Sequence, residues 1–142
     1  MIKLSKLSDY AIVVLSRLAV DRGRVLTTSV LSAETGIPEP TVSKVLKLLS
    51  KQKIVLSIRG ASGGYMIERN PTEITVTELI TALEGPIALT TCLDTTHSDC
   101  MIDALCPLKG GWNKVNIAVK EALDKVALAD LLIPVRSKRR VV

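Results

Sequence analysis

The chain has 142 residues, 47% of them hydrophobic, a formal net charge of +5 and only 2% aromatic residues, with no Phe. That size suits one core, or a small domain with an appended helix. The scarcity of aromatics argues against a single-strand or RNA platform, where bases stack on rings. The apolar run "AIVVLSRLAV" is short and carries Arg17, whereas a bilayer span needs roughly 20 apolar residues. With a polar start, "MIKLSKLSDY", the sequence predicts a cytoplasmic protein with no membrane partner.

The charge is uneven. Residues 1–75 carry 11 Lys+Arg against 6 Asp+Glu, and residues 76–135 carry 4 against 8. Arg136, Lys138, Arg139 and Arg140 make a basic tail over 134–142, predicted to be disordered. A basic half points to a polyanion partner, although solvated lysines give the same pattern.

Apolar spacing from Leu7 to Val20 predicts a first helix, ended by the turn at Asp21–Gly23. Thr27 or Thr28 can cap a second helix, Ser29 to Thr35, which Gly36 stops. In "IPEPTVSKVLKLLSKQ", Pro40 suits a first helical turn. Val42, Val45, Leu46 and Leu49 form one face of that third helix; Lys44, Lys47 and Lys51 form a stripe on another, with Thr41 and Ser43 near its start. This order is the layout of a helix-turn-helix. Two β-prone runs, Ile54–Ile58 and Tyr65–Ile67, then flank "RGASGG". Gly60, Gly63 and Gly64 permit a tight hairpin with Arg59 at its base, which reads as a wing reaching for a minor groove or a phosphate. A phosphate-binding glycine loop needs a helix after it, and here a strand follows.

A capped helix from about Thr75 ends at a Gly-Pro stop. The segment "TTCLDTTHSDCMIDALCPLKGGW" then collects Cys92, Cys100, Cys106 and the sole histidine, His97. In a reducing compartment, clustered cysteines favour metal or redox chemistry. Zinc modules use closer cysteine pairs, whereas this wide spacing suits an iron–sulfur cluster held by thiolates. Buried structural cysteines are the plainer reading, and three within fifteen residues weigh against it. A cysteine enzyme would need an oxyanion device that the sequence lacks, so the chain is read as no enzyme and without a small-molecule substrate. Finally Val115, Val119, Ala122, Val126 and Ala129 recur at helical spacing and predict one long amphipathic helix. Its stripe must fold back on its own domain or pair with a second copy, and pairing is favoured because one recognition helix reads only a half-site.

The opening "MIKLSKLSDYAI", the helix pair, the wing "IRGASGGY", the helix "TVTELITALEG", the cysteine loop and the final helix together resemble the IscR-type (Rrf-two) transcription regulators, over nearly the whole chain to about Ile133. The start "SKLSDYAIVVL" most resembles the branch that regulates the SUF iron–sulfur assembly system; a nitric-oxide-sensing branch is close. The resemblance implies a mainly α fold with a small β-hairpin wing and a homodimer on double-stranded DNA. It divides the chain into a DNA-binding domain at 1–75, a connecting helix and cluster loop at 76–111, and a dimerisation helix at 112–133. It implies an iron–sulfur cluster, 2Fe–2S ahead of 4Fe–4S, on Cys92, Cys100 and Cys106. Lys109 stands where the best-known cluster-binding member has a histidine. The fourth ligand falls to Asp9 of the partner subunit, ahead of His97. Asp9 also suits the positive start of a helix. The DNA-binding positions are Ser5, Lys6, Thr28, Thr41, Ser43, Lys44, Lys47, Arg59, Gly60, Gly63 and Gly64. The implied function is a repressor sensing cluster or redox status. A metal-free thiol-redox regulator and a zinc-stabilised interaction module stay open beside it.

Overall fold

A computed structural model of the chain describes residues 3–90, 93, 101, 105–108 and 111–132. It is mainly helical with one two-stranded antiparallel hairpin, as the sequence predicts.

Helix α1 spans Lys6–Val20. Ser5 caps it, its hydroxyl accepting the Ser8 amide at 3.3 Å. Ala11, Val14, Leu15 and Leu18 recur at three- and four-residue steps, and all four are buried. Helix α2, Thr28–Thr35, is capped by Thr27, which accepts the Val30 amide at 3.1 Å. Gly36 ends it in the left-handed region at φ 79°. Helix α3, Glu39–Lys51, carries Pro40 in its first turn and buries Val42, Val45, Leu46 and Leu49. Arg17 ties α1 to its own C-cap and to α2, through Asp21 at 2.8 Å and through Glu34. Glu34 first and Asp21 second hold its guanidinium proton more tightly than usual.

Strands β1, Leu56–Ile58, and β2, Gly64–Met66, pair with Leu56 opposite Met66 and Ile58 opposite Gly64. β1 is shorter than its β-prone run, because Ile54 and Val55 turn into the core instead, and β2 starts one residue earlier than its run, with Ile67 buried beyond its end. Leu26 adds a bridge to Tyr65, with both amide bonds at 2.8 Å, and so fastens the wing to the turn before α2. Helix α4, Val76–Glu84, follows its cap Thr75.

The final apolar repeat forms two helices, not one. Helix α5 covers Gly111–Asp124 and α6 covers Leu128–Leu131. Between them Ala127 bridges Thr75. The Val76 amide donates to Val126 O at 2.9 Å, and the Leu128 amide donates to Ile74 O at 2.7 Å. These bonds take the backbone groups that a continuous helix would have used, and they seat Leu128 fully in the core. The repeat therefore divides its work. Its end folds back, while α5 contributes no buried residue, with Trp112, Val115 and Ile117 exposed by 43%, 44% and 46%. Asn116 fixes α5 to the segment after α4: its amide donates to Ile87 O at 3.0 Å and its carbonyl accepts the Leu89 amide at 3.1 Å.

Candidate nucleic-acid interface and cysteine loop

The buried row of α3 leaves Lys44, Lys47 and Lys51 on the opposite, exposed side. Thr41 and Ser43 lie half-buried beside them. Pro40, Ser43, Lys44, Lys47 and Leu48 line a shallow depression on this surface. Among the described residues, no acid pairs with Lys44, Lys47, Lys51 or Arg59. Among the other described arginines, Arg17 and Arg24 meet Asp21, Arg69 meets Glu78 at 3.0 Å, and Arg22 donates to the backbone carbonyl of Glu68 at 2.8 Å. Lys3, Lys6, Arg22, Lys53, Lys114, Lys120 and Lys125 are likewise without an acidic partner among the described residues, but Lys44, Lys47, Lys51 and Arg59 stand on α3 and the wing, the two elements a winged helix lays on a duplex.

Arg59 directly follows β1 and is exposed. The glycines around it have individual reasons. A Cβ on Gly63 would lie 2.4 Å from Ile58 O, and one on Gly64 would lie 2.4 Å from Leu26 O. Neither position admits a side chain without moving backbone. Gly60 sits at φ 109° at the tip. These residues shape the wing that carries Arg59.

Ser5 serves as the cap of α1, with exposed Lys6 beside it. Thr28 is the first residue of α2, and its hydroxyl donates to Glu39 Oε1 at 3.1 Å. Ser29 donates to the same oxygen at 3.1 Å. Sequence reasoning passed over Glu39 and Ser29. An acid at the head of a basic helix was the available signal, but the contact across ten and eleven residues was not visible in any local pattern.

Of the cysteine-loop residues, Cys106 is described as a free, half-buried thiol. Cys92, Cys100 and His97 lie outside the described residues. Beyond Cys106, Leu108 with Gly111, Trp112 and Val115 of α5 lines an apolar cavity of about 280 Å³. Asp9 is exposed in the first turn of α1, and its carboxylate has no side-chain partner among the described residues. Among those residues, no three His, Cys, Asp or Glu side chains come together as a metal site. No helix among them is long and apolar enough to cross a membrane.

Residues 4–134 match the Rrf2 family model, described as iron-dependent transcriptional regulator. The chain is 32% identical over 131 residues to the HTH-type transcriptional regulator NsrR of Bacillus subtilis, covering 92% of this chain and 90% of that one. Its fold is similar to the structure of CymR, the global cysteine regulator of B. subtilis, with TM-score 0.67, 28% identity and coverage of 93% and 97%. It is also similar to the structure of T. potens IscR, with TM-score 0.64, 29% identity and coverage of 92% and 86%. The helix-turn-helix, the wing and these likenesses agree: the chain belongs to the Rrf2 family of DNA-binding transcription regulators and is not an enzyme.

Proposed function

We propose that this chain is a homodimeric repressor of the SUF-regulator type, whose operator affinity follows an iron–sulfur cluster on Cys92, Cys100 and Cys106. The observation that carries the reading is the position of Cys106. It is a free, half-buried thiol shortly ahead of α5, a helix with no fully buried residue and with Trp112, Val115 and Ile117 exposed among the described residues. The donor chemistry fits such a group. Three thiolates are soft ligands for iron, and Asp9 offers an accessible carboxylate. Asp9 of the partner subunit is taken as the fourth ligand in preference to His97. The iron-dependent description of the family supports the same reading.

When bound, a cluster, here taken as 2Fe–2S, supplies an oxidisable and removable tie. The chain's own residues do the rest. Lys44 and Lys47 neutralise phosphates, Thr41 and Ser43 offer hydroxyls to the major groove, and Arg59 brings the wing to the minor groove. Thiolates of the cysteine loop, tied to Asp9 of the partner subunit, would set how two recognition helices are spaced. Coupling of roughly 1–3 kcal/mol alters affinity about 5- to 150-fold. Anaerobic purification with iron, sulfide and zinc assays tests the cofactor. Matched iron and sulfide, lost in Cys106→Ala, is the expected result. Stoichiometric zinc or no metal after reconstitution would overturn it.

A second reading is a metal-free thiol regulator. The free thiol of Cys106 and the likeness to the global cysteine regulator favour it. It predicts a reversible cysteine cross-link and the same operator response in iron-free protein.

A further inference from the structure

We infer that Glu39 is a base-reading residue of the recognition helix, selecting cytosine at one position of each half-site. The inference rests on the DNA-binding role of α3. Glu39 is the first residue of that helix and is exposed. Ser43 and Lys47 follow it at four-residue steps, so the three form one row along α3. A carboxylate here runs against the surrounding charge. It repels phosphate, and no cation among the described residues neutralises it. The helix start stabilises it in part.

Two hydroxyls hold it in place. Thr28 and Ser29, in the first turn of α2, both donate to Glu39 Oε1 at 3.1 Å. Both bonds end on the same oxygen, and Oε2 makes no hydrogen bond among the described residues. A group fixed on one side and open on the other is arranged to accept from an outside donor. A carboxylate cannot donate, so the acceptor-only edge of guanine and the O4 of thymine are excluded. Adenine sets its N7 acceptor beside its amino group, which a carboxylate avoids. Cytosine presents its N4 amino group alone. Thr28 and Ser29 are positioning residues in this arrangement.

The test is selection of binding sites from a random duplex library by the full-length protein, with Glu39→Gln, Glu39→Ala and Thr28→Val/Ser29→Ala beside it. Thermal unfolding checks that each variant is folded. The wild type is expected to favour cytosine about 5-fold or more at one symmetric pair of positions. Glu39→Ala should reduce that preference to about 2-fold or less and leave the others intact. Glu39→Gln, which can both donate and accept, should move it toward adenine. The double variant should broaden the same position. A uniform rise in affinity for all sequences, or an unchanged motif, overturns the inference while leaving the DNA-binding role in place. A wild type that enriches no motif overturns both.

Discussion

A lysine or arginine serves DNA only where no neighbouring acid has already claimed it. Lys44, Lys47 and Arg59 meet that condition among the described residues, whereas Arg17 and Arg69 are committed to internal ion pairs. Lys44→Ala and Arg59→Ala should therefore each weaken operator binding and lower the slope of log affinity against log salt by about 1. Arg17→Ala should leave that slope unchanged, and fluorescence anisotropy at several salt concentrations reads all three. The lysine stripe was legible because helical spacing alone sets it opposite Val42, Val45 and Leu49. Gly64 was legible as a wing glycine, but not for its main reason, the carbonyl of Leu26 lying in the path of a side chain. Gly64→Ala should cost about 1–3 kcal/mol by denaturant unfolding, through overpacking at that contact. Glu39 escaped the sequence reading because its partners stand on another helix.

At the scale of elements, local signals fixed most helix boundaries, overran the start of β1, where Ile54 and Val55 are buried, and failed at one helix. The caps Ser5, Thr27 and Thr75 and the stop at Gly36 are short-range chemistry, and the helices they bound follow the sequence closely. The break between α5 and α6 is long-range. Residues 125–127 keep a helical apolar period, yet a bridge to Thr75 takes their backbone bonds. Leu128, wholly buried by that bridge, should matter to the entire domain: Leu128→Ala should cost about 2–5 kcal/mol in urea unfolding. The exposed face of α5 behaves differently. Ile117→Glu should leave the fold stable and convert a dimer to a monomer in sedimentation equilibrium, because a charge cannot be buried cheaply between paired helices. A stable variant that stays dimeric would place the interface elsewhere.

For the whole molecule, the proposal joins two surfaces on one chain. The α3 and wing face is basic and open to a duplex, and the stretch from Cys106 to α5 carries a free thiol ahead of a helix whose Trp112, Val115 and Ile117 are exposed among the described residues. The first was largely legible from charge and element order. The second was legible only as chemistry, since cysteine spacing names a soft ligand set without placing it, and Cys92, Cys100 and His97 lie outside the described residues. The family places the chain among DNA-binding regulators; the signal is the claim at risk. The most direct test is operator affinity measured anaerobically on one preparation before and after cluster removal, with Cys106→Ala alongside. The account predicts about a 5- to 150-fold difference between the two forms, and no such difference in the variant. Equal affinity with and without the cluster would contradict it.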